Sequence, residues 1–149
     1  MTGNQPHPGT GVNLMDTTAE PINIHETLSA LGVKTIINVD PLDKTASIHA
    51  TKKAIEAEGV SALIFESPCI NLFKPLEPAW VEPDECRSCR ICVDHLGCPA
   101  LLYDNNKAHI DSTLCNGCDL CVQECPFGAI HSPRENLSYP ERHALRGAD

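Results

Sequence analysis

The sequence predicts two architectures in series: a partial α/β unit of parallel β-α-β type, then a small α+β module folded around clustered cysteines. Three observations predict them. Two short β-branched runs, KTIINV (34–39) and VSALIFE (60–66), flank an alanine-rich stretch with helical spacing. Four prolines, Pro68, Pro75, Pro78 and Pro83, then follow with no periodicity between them, the mark of an extended linker. Beyond them stand eight of the nine cysteines, in two copies of nearly the same spacing.

Residues 1 to about 20 are rich in Gly, Pro, Thr and Asn and read as irregular loop. Asn23 is a helix N-cap with Glu26 three residues on, Ile24, Leu28 and Leu31 form an apolar stripe, and Gly32 supplies the stop. KTIINV is nearly continuous in apolar character, as in a strand covered on both faces, and Asp40-Pro41 ends it. A second helix is expected from Lys44 to Glu58, with Ala46, Ala50, Ala54 and Ala57 on one side, Ile48 and Ile55 near it, and Gly59 as its stop. VSALIFE completes the β-α-β unit, whose crossover should be right-handed. Two parallel strands alone leave apolar edges open. Residues 1–70 are therefore expected to extend a sheet supplied by another chain or by an upstream segment, with residues 71–83 as the linker.

Length and charge narrow the function. A chain of 149 residues holds one ordinary domain or two small ones, too little for a large enzyme with its own cofactor-binding fold. No apolar run approaches the roughly 20 residues of a membrane span. Lys plus Arg total 11 against 20 Asp plus Glu, and the resulting charge of -9 repels phosphate backbones, which excludes a general nucleic-acid binder. The start, MTGNQPHPGTGVNLMD, has no basic segment followed by an apolar one. No secretory signal is read there, so a cytoplasmic protein with reduced or metal-bound thiols is expected. An odd number of cysteines also fits a disulfide framework poorly.

The cysteine module, residues 84–131, reads CRSCRICVDHLGCP (86–99), ALLYDNNKAHID (100–111) and, 29 residues after the first repeat begins, CNGCDLCVQECP (115–126). The middle segment has strand-like ends around Asp104, Asn105 and Asn106, as in a hairpin joining two pseudo-symmetric halves. Three cysteines at two-residue gaps offer three thiolates to three irons of a cubane, and the fourth iron takes a distant Cys followed by Pro, which in two-cluster ferredoxins serves the other cluster. The pattern thus predicts a two-cluster bacterial-ferredoxin-like domain holding two [4Fe-4S] clusters. Cys86, Cys89, Cys92 and Cys125 would bind the first, and Cys115, Cys118, Cys121 and Cys98 the second. Gly117 and Gly128 are small beside sulfur, and Ala129 and Ile130 supply apolar cover. The gap of five residues before Cys98, against three before Cys125, makes that ligand the weakest assignment, with a three-iron or water-ligated cluster as the alternative. A zinc-stapled module is a further alternative, since zinc ribbons also use C-x2-C knuckles. Two oxidised clusters with four thiolates each would add about -4 to the charge.

The segment TGNQPHPGTG (2–11), then NVDPLD (38–43), then ESPC (66–69) with Cys69, then the double cysteine repeat, resembles the C-terminal part of the α subunit of indolepyruvate:ferredoxin oxidoreductases, over residues 1 to about 131. The resemblance implies that residues 1–70 are the end of a thiamine diphosphate-binding-type domain. It further implies an iron-sulfur electron-transfer subunit, or a fragment of one, of a complex that oxidatively decarboxylates arylpyruvates and passes electrons singly to ferredoxin. The family's Gly-Asp-Gly and Asn motif, which holds magnesium and the diphosphate, does not occur here. Thiamine diphosphate and magnesium are therefore expected only with partners, the remaining thiamine-binding portion and a β subunit, and either the remainder is encoded separately or the reading frame is truncated. The rival function is a free-standing ferredoxin-like electron carrier.

Other residues carry less. Gly9-Thr10-Gly11 reads as a flexible entry loop that could approach a diphosphate, and the resemblance places His7 beside a thiamine site completed by a partner. Cys69 reads as a buried structural thiol, His95, His109 and His131 as solvated side chains, and Trp80 as an anchor for the linker. Lys52 and Glu56 form a helix-surface i, i+4 pair, and residues 132–149 read as a polar tail, mobile or docked on a partner.

Overall fold

Asn23 opens helix α1 (Ile24–Ala30): its side chain accepts from the Glu26 amide at 3.2 Å, and Gly32, at φ 88°, follows the C-terminal end. In the computed structural model, which describes residues 7–13, 15, 17–67 and 74–145, the chain divides into two compact units, Met1–Leu72 and Phe73–Asp149.

In the first unit, α1 leads to strand β1 (Thr35–Val39), helix α2 (Lys44–Glu56) and strand β2 (Ser61–Phe65). The strands run parallel, with Thr35 opposite Ser61 and Val39 opposite Phe65. The turn between β1 and α2 is built by two aspartates, which is why the chain changes direction at NVDPLD. Asp40 accepts from the Leu42 amide at 2.7 Å, and Asp43 caps α2 by accepting from the Ala46 amide at 2.9 Å. Helix α2 packs its alanine side on both strands, with Ala50 buried. Ile48, Ile55, Val60 and Phe65 are exposed, as are Ile24 and Leu31 of the stripe on the first helix. The strands are thus only partly covered within this unit.

The second unit contains strand β3 (Trp80–Val81), helix α3 (Ile91–Leu96), strands β4 (Leu101–Asp104) and β5 (Lys107–Ile110), helix α4 (Leu120–Glu124), strand β6 (Ile130–His131) and helix α5 (Tyr139–Ala144). β4 and β5 form the hairpin expected at residues 100–111, with Asn105 and Asn106 both at positive φ, the backbone that a two-residue primed turn requires. β3 pairs antiparallel with β6, Trp80 opposite His131 and Val81 opposite Ile130. The core gathers Ala79, Leu101, Ala108 and Ile130 around Cys92 and Cys121.

Two stretches differ from the sequence expectation. Residues 74–83, expected in an extended linker, supply β3, bury Ala79 and donate the Leu76 amide to the Asn116 carbonyl at 3.2 Å. These residues belong to the cysteine unit, because the β3–β6 pairing satisfies backbone groups that a linker would leave to water. The segment after residue 131, expected as a polar tail, buries Ser132 and Arg134 before continuing into α5. Cys69 lies outside the described residues.

Candidate iron-sulfur centres

The sequence repeat is also a repeat of backbone geometry. Ser88 and Arg90 in the first cysteine loop have φ 58° and 63°, and Gly117 and Asp119, each 29 positions later, have φ 67° and 61°. Glu82 and Asp111, again 29 apart, accept the amides of Cys86 and Cys115 through their carbonyls, both at 3.1 Å. In each half the first two cysteines stand in a loop, the third lies in the first turns of a short helix, and the fourth follows that helix. Left-handed residues reverse the chain so that a loop can curl around its own sulfurs.

All eight described cysteines are free thiols; Cys92 and Cys121 are buried, Cys89 is exposed and the others are half-buried. The electrostatics sort them. The Cys92 thiol is pushed up by burial, then by negative charge on Cys125, and less by Cys89. Burial pushes the Cys121 thiol up to about 12, with Cys118, Cys115 and Cys98 adding to the effect. Cys92 therefore shares a neighbourhood with Cys125 from the other repeat, and Cys121 shares one with Cys98. Such mutual repulsion disfavours four bare thiolates and is relieved by iron, whose positive charge holds them ionised. Among the described residues, no group of three or more His, Cys, Asp or Glu side chains has the arrangement that would hold a single metal ion.

Sulfur is solvated here by backbone amides. The Ala129 amide donates to Cys125 Sγ at 3.3 Å. Burial acts to raise the Cys86 thiol, yet it lies below its ordinary value because the backbone of Ala108 and Ser88 hydrogen-bonds to it and the Lys107 charge is near. Amide donors, an apolar shell of Ala79, Leu101, Ala108 and Ile130, and two thiol neighbourhoods, Cys92 with Cys89 and Cys125 and Cys121 with Cys98, Cys115 and Cys118, make a donor set whose chemistry fits [4Fe-4S] clusters.

The two loops are braced differently. Loop 86–92 is stitched to the hairpin: the Ser88 hydroxyl donates to the Asn106 carbonyl, the Tyr103 hydroxyl donates to the Ser88 carbonyl at 3.3 Å, and the Arg90 guanidinium lies 4.8 Å from the Tyr103 ring centroid. Lys107 Nζ donates to the Cys86 and Pro83 carbonyls at 2.7 and 2.8 Å. Loop 115–121 is held instead by Arg134, whose guanidinium meets both carboxylate oxygens of Asp119 at 2.8 and 2.9 Å and donates to the Glu77 carbonyl at 2.8 Å. Both side chains of that ion pair are almost wholly buried. Gly117 fits beneath: a Cβ there would stand 2.8 Å from Leu76 Cβ and 2.9 Å from Arg134 Nη2 and the Glu77 carbonyl. Sequence reasoning missed Lys107, Asp119 and Arg134.

The remaining candidates find local roles. His131 stacks on Trp80 with centroids 5.8 Å apart and sits between Glu85 at 2.9 Å and Glu135 at 3.0 Å. Hydrogen bonds to Glu85 and then Glu135 hold its pKa above the usual value. His95 Nδ1 lies 2.8 Å from Glu124 Oε1, which ties α3 to α4, and His109 lies 3.5 Å from Asp104. In the first unit, exposed His7 closes its own turn, its Nδ1 accepting from the Gly9 amide at 3.1 Å and its carbonyl accepting from the Thr10 hydroxyl at 2.8 Å.

The family model described as a 4Fe-4S binding domain matches residues 108–131. Over 148 residues the chain is 38% identical to indolepyruvate oxidoreductase subunit IorA of Pyrococcus horikoshii, covering 91% of this chain and 22% of the relative. Against IorA of Thermococcus kodakarensis the identity is 37% over 145 residues, with the same coverage of each. Pyruvate synthase subunit PorD of Methanothermobacter marburgensis is 41% identical over 64 residues, 42% of this chain and 69% of the relative. The chain thus spans about a fifth of the length of the IorA relatives and most of the length of PorD. Among the described residues no helix is long and apolar enough to cross a membrane.

Proposed function

We propose that this chain, which is similar to IorA and PorD and carries a 4Fe-4S ferredoxin-type domain, is the electron-transfer part of a 2-oxoacid:ferredoxin oxidoreductase. In this proposal Cys86, Cys89, Cys92 and Cys125 hold one [4Fe-4S] cluster and Cys115, Cys118, Cys121 and Cys98 hold the other. The observation that carries it is the pairing of thiol neighbourhoods across the repeat, Cys92 with Cys125 and Cys121 with Cys98.

When bound, the clusters supply one-electron storage, which an oxidative decarboxylation needs because it releases two electrons to a one-electron acceptor. The residues of the chain do the rest. The cysteine loops fix the sulfurs, the amides of Ala129, Ala108 and Ser88 stabilise charge on them, and Ala79, Leu101, Ala108 and Ile130 keep water away.

Residues 1–70 serve, in the same proposal, as the final β-α-β portion of a thiamine diphosphate-binding-type domain; residues 84–131 form the ferredoxin-type domain, which Ser132 and Arg134 complete. The incompletely covered strands and the exposed Ile48, Ile55 and Phe65 support that role, since an unfinished parallel sheet requires further strands. Thiamine diphosphate and magnesium are held by the partners, the remaining thiamine-binding portion and the β subunit. Ferredoxin, in the cytoplasm, is the acceptor, and an arylpyruvate such as indolepyruvate is the substrate of the complex.

Anaerobic reconstitution of the full chain should give about eight irons and a brown absorbance that dithionite bleaches. One or two zinc ions and no iron would refute the proposal. Affinity capture in an anaerobic lysate should retain a thiamine-containing partner; a chain that stays monomeric and still exchanges electrons with ferredoxin would favour the free-standing carrier.

A further inference from the structure

Lys107 begins β5 immediately after the Asn105–Asn106 turn, and its side chain reaches back over the first cysteine loop. Its ammonium is fixed by the carbonyls of Cys86 and Pro83, both neutral acceptors that hold the charge without cancelling it. The side chain is half-buried, so water screens it incompletely. The Ala129 amide aimed at Cys125 Sγ adds to the same side of the balance, as does the exposure of Cys89 to solvent. Positive charge, amide donors and water all stabilise the extra negative charge that a cluster gains on reduction.

The second set of thiols meets a different field. Cys121 is buried, as Cys92 is in the first set, and the Asp119 carboxylate near it is neutralised by a partner. Arg134 meets Asp119 with two short hydrogen bonds, so the pair brings rigidity with no net charge. The repeat places Asp119 at the position that corresponds to Arg90, and the first half carries its additional cation, Lys107, on the hairpin.

We propose that Lys107 sets the order in which the two clusters are reduced: its ammonium, pinned at the Cys86 carbonyl, makes the Cys86, Cys89, Cys92 and Cys125 cluster the first to take an electron. This inference rests on the two-cluster assignment proposed above. The step is a bare electron transfer, in which one electron from an external reductant takes that cluster from the 2+ to the 1+ core, with no bond formed and no proton moved. Lys107 acts through the field on the sulfurs and is a positioning residue for charge, not a ligand.

The test is an anaerobic dithionite titration of the reconstituted full chain, followed by low-temperature electron paramagnetic resonance. Cys89→Ser and Cys118→Ser identify which signal belongs to which loop. The signal lost in Cys89→Ser should rise first in the unsubstituted chain. Lys107→Gln should move that step to lower potential and leave the other in place, and Lys107→Arg should restore it. The proposal is overturned if the signal lost in Cys118→Ser rises first, or if Lys107→Gln leaves both steps unmoved. Should Lys107→Gln lose its iron, the order of the two signals in the unsubstituted chain still decides. Failure of the two-cluster assignment looks different: the unsubstituted chain would then show one cluster signal and about half the iron.

Discussion

Cysteine loop 86–92 is fastened from the hairpin, by Lys107, Tyr103 and the turn carbonyl of Asn106, whereas loop 115–121 is fastened by the buried Arg134–Asp119 pair and by Gly117 seated against Leu76 and Glu77. The two loops share left-handed residues at matching positions and the same carbonyl contacts to their first cysteines. What differs is whether the brace brings net charge and whether it tolerates loss. Duplicated metal loops can thus keep one backbone while each half acquires its own electrostatic and mechanical surroundings.

Removing the brace of the second loop should have the largest effect. Arg134→Ala leaves the Asp119 carboxylate buried without its partner, a cost of about 3–5 kcal/mol. Thermal unfolding of the iron-loaded chain should shift down strongly, and iron should be lost first from the cluster that contains Cys118. Equal loss from both clusters would mean that the pair stabilises the whole unit rather than one loop.

Gly117→Ala should come next. The residue sits at φ 67°, and its added Cβ would press on Leu76, Arg134 and the Glu77 carbonyl, so a cost of about 1–3 kcal/mol is expected. Gly97→Ala supplies the control: Gly97 also has positive φ, but a Cβ there meets nothing within 4 Å. Its cost should be the smaller of the two, roughly 1–2 kcal/mol from the left-handed backbone alone. Chemical denaturation of both variants measures the difference, and equal destabilisation would remove Gly117 from the account.

The smallest effect belongs to the β3–β6 junction. The folded-state pKa of His131 is raised above 6.5 by Glu85 and Glu135. Protonated His131 therefore contributes stability that is fully present below pH 6.5 and is lost as pH rises through the raised value. His131→Gln should flatten the stability profile across that window, as followed by thermal unfolding at stepped pH. A profile unchanged by the substitution would show that His131 does not bind its proton more tightly in the folded chain.

Most of the first unit was legible because its elements are local. The strand expected at 34–39 occupies 35–39, the helix expected from Lys44 to Glu58 ends at Glu56, and Asn23 caps α1 as its spacing with Glu26 implies. The hairpin was legible from Asp104-Asn105-Asn106, and the cysteine repeat from spacing. By contrast, β3 and β6 are two residues each, too short to show alternation, and their pairing joins Trp80 to His131 and Val81 to Ile130, far apart in the chain. Arg134 in HSPREN reads as an ordinary surface charge until Asp119, 15 residues earlier, is found buried against it. Lys107 reads as a hairpin polar residue, and only the fold reveals that its ammonium reaches the Cys86 carbonyl of the first cysteine loop. Trp80, expected to anchor residues 71–83 against a domain, does so by stacking on His131 of the cysteine unit.

The exchange of sulfur between the two halves is tested most directly by Cys125→Ser, compared spectroscopically with Cys89→Ser and Cys118→Ser. Because Cys125 shares its neighbourhood with Cys92, its replacement should perturb the same resonance signal as Cys89→Ser and leave the other signal intact. A Cys125→Ser spectrum that matches Cys118→Ser would mean that each repeat keeps its own four cysteines, contradicting the crossed arrangement.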